Sequence, residues 1–262
     1  MCPETPPLVP LGREQLATLA SWFLPERPGP LIAQHLLATG HGSCLADRWP
    51  GPRALVVETG GNYTLAGEPG ALDPARLRGH IEGFVEASAG WEPLLRAVAR
   101  ELHEWPRVVL TQEAPGRPPP RPRGPHQLRR LGPGDVRSLA GLGEETAWIA
   151  NSWGGPEGLA ASATAWGGFA GSRLVAVACP FFVGTVHEDL GVVTEPGFRR
   201  LGLSTACAGA LCQDVRRRGR IPSWTTSPDN TASLGVAAKL GFALQRHARL
   251  LVVDTPVPVP DA

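Results

Sequence analysis

The stretch TEPGFRRLGLST, residues 194–205, places Arg199, Gly202 and Ser204 immediately before a helix-like run. Backbone N–H groups at a helix start lack an intrahelical acceptor and carry partial positive charge. Small residues at 202 and 204 leave room for an anion to approach those groups, and Arg199 and Arg200 add charge at the rim. Two readings fit: a plain strand–turn–helix corner, or a cradle for the pyrophosphate of a cofactor. Just upstream lie three more groups able to do chemistry, His187, Glu188 and Asp189, in the strand-like run VHEDLGVVTE. In a strand, Glu188 shares a face with Leu190 and Val192, whereas His187 and Asp189 share the other. A carboxylate on an apolar strand face is costly unless it is used or paired.

VVTEPGFRRLGLS resembles the cofactor loop of the GNAT superfamily of acyl-CoA-dependent N-acyltransferases. The signature there is Gln or Arg, two residues, Gly, one residue, then Gly or Ala. Arg199, Gly202 and Ser204 stand at those positions, with Ser as a departure. The family also carries an Asn followed some way on by Gly-Phe; here Asn230 leads NTASLGVAAKLGF, which ends in Gly241 and Phe242. The resemblance spans residues 126–253, and the wider sequence looks like a two-domain bacterial group of the superfamily.

The resemblance implies acetyl-CoA, or another acyl-CoA, as co-substrate and no metal. It implies two strands splaying apart near Val192, Val193 and Thr194, whose backbone pairs with the pantetheine arm. The amides of Arg200, Leu201, Gly202, Leu203, Ser204 and Thr205 would hold the pyrophosphate. Asn230 would contact the pantetheine or adenosine part, and it also reads as the N-cap of the following helix. Acyl transfer needs a neutral amine, and alkyl ammonium groups titrate near pH ~10, so a base must remove a proton. Glu188 matches the register of the general base in some family members; a structural or substrate-positioning role stays open, with Asp189 and His187 as fallbacks. The family's proton-donating Tyr is replaced by Ala237, and Tyr63 is the single Tyr of the chain. Ser233, water, a Cys, or Tyr63 reaching across are the alternative donors, unless the thiolate leaves unaided; Ser233 also reads as a helix-packing residue. Trp148, Trp153 and Trp166 would line an acceptor pocket or pack the core, and Glu144 and Glu145 would attract a cationic amine or face solvent.

The implied activity is an N-acetyltransferase that moves acetyl to the primary amine of a small molecule by direct attack. The missing Tyr keeps a second reading open, a non-catalytic acyl-CoA-binding sensor or structural protein, and decarboxylation of an acyl-CoA is a third.

These groups must be positioned by a mixed α/β chain. The 262 residues suffice for two domains, and 42% hydrophobic with 19% charged residues suits a globular protein. The segment APGRPPPRPRGP excludes helix and marks a boundary. It gives a smaller mixed α/β domain at 1–114 (a degenerate GNAT-like half is one reading of it), a Pro-rich linker at 115–125, a GNAT domain at 126–253 and a tail at 254–262. Upstream, periodicity predicts helices over 13–24, 30–40, 73–85 and 91–103, a hairpin turning at ETGGN, and a strand at RVVLTQ. Downstream it predicts β-α-β-β-β-α-β-α-β, with one helix across DVRSLAGLGEETAWIANSW and another across LSTACAGALCQDVRRRG.

Net charge is +1, so nothing points to a nucleic-acid partner. No apolar run reaches the roughly 18 residues of a membrane span, and MCPETPPLVPLGREQ lacks the layout of a signal peptide. Cys2, Cys44, Cys179, Cys207 and Cys212 form no CxxC pair; reduced thiols in a cytoplasmic protein are expected. A monomer or homodimer is expected.

Overall fold

The computed structural model describes residues 7–114 and 122–259. Most of the Pro-rich linker, together with Cys2 and the end of the tail, lies outside the described residues.

Among the described residues twelve strands make one mixed sheet. In chain order they are β1 (Val9–Pro10), β2 (Ser43–Ala46), β3 (Ala54–Thr59), β4 (Asn62–Gly67), β5 (Gly83–Glu86), β6 (Leu102–Thr111), β7 (His126–Arg130), β8 (Trp166–Ala170), β9 (Arg173–Val183), β10 (His187–Thr194), β11 (Ile221–Thr226) and β12 (Ala243–Val253). The spatial order is β1-β2-β3-β4-β5-β12-β6-β11-β10-β9-β8-β7. Strand β6, upstream of the Pro-rich segment, is therefore hydrogen-bonded between β11 and β12, both downstream of it. Strand β12 pairs with β6 along its whole length, from Ala243↔Thr111 to Val253↔Leu102, and with β5 on its other edge. The two halves share one continuous ladder at the middle of the sheet.

The helices of eight or more residues are α1 (Ile32–Thr39), α2 (Leu203–Arg217) and α3 (Thr231–Lys239). Helix α1 ends as expected at Gly40, whose φ of 80° is a conformation that favours glycine. Helix α2 buries Leu203, Cys207, Leu211 and Val215 against β9, β10 and β11, in one core with Leu110, Leu190, Trp224 and Phe242. The second and third cores hold the 136–162 segment and the outer helices of the other half. In the fourth, α1 packs Leu31, Ile32 and Leu36 against Leu55, Val57 and Phe182. The four described cysteines are free and buried, and burial pushes the thiols of Cys44, Cys207 and Cys212 up to about 12.

Four expectations need correction. The helix read over 13–24 is only Arg13–Ala17, followed after a turn by the 3-10 segment Ala20–Phe23. The helix read over 73–85 is only Pro74–Leu77, and its remainder contains strand β5. Gly79 and Gly83 take φ of 80° and 138°, which a continuing right-handed helix does not contain. The helix read over 91–103 stops at Val98, and β6 starts at Leu102. The single helix read across 135–153 is three pieces, Val136–Ala140, Glu144–Ala147 and the 3-10 turn Trp148–Trp153. It breaks at 141–143, where Gly143 is extended and its N–H donates to the Glu195 carboxylate at 3.0 Å.

Candidate active site

The site is organised by the parting of two parallel strands. β10 pairs with β11 only over His187–Asp189 against Ile221–Ser223. Beyond Asp189, β10 keeps β9 as its partner up to Thr194, and β11 keeps β6 up to Thr226. Leu190–Thr194 and Trp224–Thr226 thus line a gap between strands that share no ladder there. An extended ligand entering that gap meets backbone groups in strand geometry. The parting coincides with a register shift between β9 and β10 at Asp189/Leu190. Two residues of β10 there face three of β9, whose Pro180 has no N–H to give a regular ladder.

The loop at the foot of the gap turns sharply into a helix N-terminus. After the single 3-10 turn Pro196–Phe198, Arg200 has φ of 64° and Gly202 φ of 85°. A left-handed non-glycine residue costs roughly 1–2 kcal/mol, and such strain concentrates at functional sites. The two residues turn the chain into α2, whose first intrahelical bond runs from Ala206 N–H to Gly202 O at 3.0 Å. The N–H groups of Leu203, Ser204 and Thr205 precede that bond and point out of the helix end. The hydroxyls of Ser204 and Thr194 share a hydrogen bond of 2.8 Å, pinning this turn to the end of β10. Arg199 donates to Thr194 O at 3.4 Å and pairs with Glu145 at 3.0 Å. On the far side of the gap, Asn230 caps α3 by accepting from Ser233 N–H at 2.9 Å, and Ser233 Oγ accepts from Trp224 Nε1 at 2.9 Å.

The strand alternation read from the sequence holds. Glu188 faces α2 with Leu190 and Val192, and Asp189 faces away from it. Glu188 is 1% exposed, and both its oxygens are taken. Arg218 reaches them at 2.9 and 2.5 Å and Arg220 at 2.8 Å. Asp189, 5% exposed, accepts from Ser223 Oγ at 2.8 Å and from Thr225 Oγ1 at 3.1 Å. Burial pushes its carboxyl up to about 6, against the pull of those two hydroxyls and of the Arg107 and Arg246 charges. His187 is held by Glu26 at 3.2 Å; the same carboxylate caps the backbone N–H groups of Thr185, Val186 and His187.

The face that Asp189 looks onto carries groups that the sequence does not single out. Across β11, β6, β12 and β5 it presents Thr225, Arg107, Arg246 and Glu86 in turn. Glu86 and Arg246 line a cavity of about 400 Å³ with Trp22, Phe23, Arg27 and Thr64. The Glu86 side chain keeps 36% of its surface open. The walls still strip enough water from the charge that burial, reinforced by Asp189, pushes its carboxyl up to about 7; Arg246, Arg27 and Thr64 oppose the rise. Burial brings the Arg107 guanidinium down to about 10, so it stays a cation at neutral pH. The hidden signal was alternation for two of them: Arg107 and Arg246 are charges inside strand-like runs, whereas Glu86 follows a segment that reads as helix.

The remaining candidates are dispersed. Tyr63 sits in β4 beside Val85 and packs into the core on the opposite face from Thr64 and Glu86. Ala237 is buried with Trp224 and Phe242. Trp153 is core and donates to Pro180 O at 2.8 Å, Trp166 donates to Asp214 at 2.7 Å, and Trp148 stays exposed against Phe181. The three do not form one pocket. Glu144 and Glu145 are exposed. Among the described residues no group of three or more His, Cys, Asp or Glu is placed to hold a metal ion, and no helix is long and apolar enough to cross a membrane.

The chain and its fold have counterparts. The family model described as GNAT acetyltransferase matches residues 152–250. A Streptomyces virginiae protein described as an uncharacterized N-acetyltransferase in the mutA 5' region is 40% identical over 213 residues, covering 80% of this chain and 90% of that one. The Bacillus subtilis (strain 168) protein YdfB, an uncharacterized N-acetyltransferase, is 22% identical over 88% of this chain and 93% of its own length. Among solved structures, a GCN5-related N-acetyltransferase-like protein from Streptococcus suis 89/1591 superposes with a TM-score of 0.68 at 19% identity, over 92% of this chain and 98% of that one. A tandem GNAT protein from the clavulanic acid biosynthesis pathway superposes with a TM-score of 0.57 at 13% identity, over 96% and 99%. At these identities the structures show a shared fold over nearly the whole chain.

Proposed function

Because this chain belongs to the GNAT acetyltransferase family and is an N-acetyltransferase, we propose that it moves acetyl from acetyl-CoA to the primary amine of a small molecule. The observation that carries this reading is the parting of β10 from β11 beside Asp189, with the N-terminus of α2 pinned at the far end of the gap, at Thr194. The pantetheine arm pairs with the open edge of Val192–Thr194. The pyrophosphate sits on the amides of residues 200–205, where strain, small side chains and the helix dipole all favour an anion. Asn230 shapes the opposite wall by capping α3.

In this assignment Asp189, not Glu188, takes the proton. Glu188 lies on the α2 face with both oxygens engaged by arginines, and it braces the end of α2 against β10. Asp189 lies at the parting point on the other face, with a carboxyl whose pKa is raised toward neutrality, which suits a general base. It removes a proton from the ammonium, directly or through one water. The amine nitrogen then attacks the thioester carbonyl, the C–S bond breaks as the amide forms, and the nitrogen gives up its second proton to water. The departing thiolate takes a proton from water or from Ser233, whose Oγ accepts from Trp224 and keeps its own hydrogen to give.

Calorimetric titration of acetyl-CoA, followed by thiol release with a panel of primary amines, tests the proposal. Saturable acetyl-CoA binding and amine-dependent thiol release with an N-acetylated product by mass are expected. Binding without release for every amine, or release without an acetylated amine, would overturn it.

A further inference from the structure

The chemistry lining the cavity selects among amines. Arg27 and Arg246 line it, and Arg107 lies between it and Asp189. Against these three cations stand Asp189 and Glu86, the latter with its carboxyl raised to about 7. The balance around the site is positive at neutral pH, which disfavours polycationic acceptors. The guanidinium groups also have donors to spare. Arg246 donates one NH2 hydrogen bond to Pro28 O at 3.0 Å and stands 4.0 Å from Glu86. Arg107 donates to Thr225 O at 3.2 Å. The Nε atoms of both are buried without a protein partner. Buried donors in native proteins are almost always satisfied, and a guanidinium presents a planar fork matched to a carboxylate.

The register fixes the reach. Arg246, Val109 and Thr225 are cross-strand neighbours on β12, β6 and β11, and Thr225 Oγ1 bonds Asp189. Neighbouring strands lie about 4.8 Å apart, so the strand positions of Arg246 and Thr225 are about 10 Å apart, with Val109 between them. Gly29 lets the 24–30 loop pass close to Arg246: a Cβ there would meet Arg246 at 3.0 Å and Val109 at 3.3 Å.

We propose that the acceptor is an amine bearing a carboxylate, an amino-acid-like zwitterion, with its acid on Arg246 and Arg107 and its amine directed to Asp189. Trp22 and Phe23 then offer an apolar wall to the rest of the molecule. This assignment rests on the acetyl-transfer reading above, and the test separates the two.

Acetyl transfer is measured with L-phenylalanine, L-methionine, β-alanine and 4-aminobutyrate, each beside its carboxamide. Binding of the same compounds to the CoA-loaded protein is measured by calorimetry. At least one acid is expected to exceed its amide in kcat/KM by roughly ten- to hundredfold, the usual worth of a charge-assisted contact. Arg246→Gln should raise the KM for that acid by a similar factor and leave the KM for acetyl-CoA within about twofold, with Arg246→Lys in between. Arg27→Gln, at an exposed position on the same cavity, supplies a second variant should Arg246→Gln fail to fold, and loss of its positive charge should raise the acid KM by a smaller factor. Amides that react as well as acids, an acid KM unmoved in the variants, or no binding by any acid would overturn the zwitterion assignment. Transfer to amines without acid preference leaves the acetyltransferase reading intact. Arg246-dependent binding of an acid without any transfer does the reverse.

Discussion

Asp189→Asn should separate activity from stability in opposite directions. The carboxyl rises from an ordinary 3.8 to about 6 in the fold, chiefly by burial. A difference of that size corresponds to about 3 kcal/mol between the two protonation states. Since the folded value lies above the unfolded one, the group's contribution to stability is complete below pH 3.8 and is lost as pH rises through about 6. At pH 7.5 the native state therefore carries an unfavourable buried charge. Asn keeps an oxygen to accept from Ser223 and Thr225 and removes the charge, so the variant should be more stable by up to about 3 kcal/mol. For a chain of this size that is a Tm increase of roughly 6–12 °C. The same substitution removes the base, and kcat/KM should fall by about 10²–10⁴-fold. Wild-type kcat/KM should decline below pH about 6, tenfold for each pH step, because the protonated carboxyl cannot accept a proton. Thermal melts at pH 7.5 and thiol-release kinetics across pH 5–9 read both effects. A variant that melts below wild type, or that turns over within about threefold of it, would refute the assignment of Asp189 as a desolvated base.

Glu188→Ala should act on the fold instead. It leaves Arg218 and Arg220 without their partner and should cost about 2–3 kcal/mol in urea unfolding, less than the roughly 3–5 kcal/mol of a fully buried pair, because the arginines keep 28% and 30% exposure. If the folded variant instead lost turnover a hundredfold, Glu188 would return as the base. Gly202→Ala places a Cβ only 3.7 Å from Pro122 Cα, an ordinary contact, so its cost is conformational, roughly 1–2 kcal/mol at φ of 85°. Calorimetry should show acetyl-CoA binding weakened by about tenfold, and unchanged binding would argue that the cradle lies elsewhere. His35 donates from Nε2 to Ser152 O at 2.9 Å and accepts from Val183 N–H at 3.1 Å. Burial brings its imidazole down from 6.5 to about 4. The unfolded chain takes up this proton first, so the stability it gives is complete above pH 6.5. About 3 kcal/mol should be lost as pH falls toward 4, a slope absent from His35→Asn in urea titrations at stepped pH.

Local patterns in the chain carry local outcomes. The turn of Pro196, Gly197 and Gly202 between an apolar run and an amphipathic run dictates strand, corner and helix, because glycine conformation and 3.6-residue periodicity act over a few neighbours. The same holds for the hairpin at Gly60–Gly61, the cap at Asn230 and the split of Glu188 and Asp189 onto opposite faces. Where local signals compete, the sequence misleads. Gly143 reads as a tolerable helix residue, but a carboxylate 52 residues downstream captures its N–H.

What the sequence by itself determined is the downstream order of strands and helices, the 195–202 loop with its family signature, and the pair of adjacent carboxylates. Tertiary structure alone decided which carboxylate is engaged, because the occupants of Glu188 come from beyond the end of α2, 30 and 32 residues away. It also decided what Asp189 faces. Arg107 arrives on β6 from the upstream half, and Arg246 on β12 from the end of the chain. Glu86 comes from β5, a segment whose local pattern reads as helix. Their charges meet only because the halves interleave strands in one sheet. The energy that moves their protons comes from desolvation and from charges distant in sequence, terms that no local window contains.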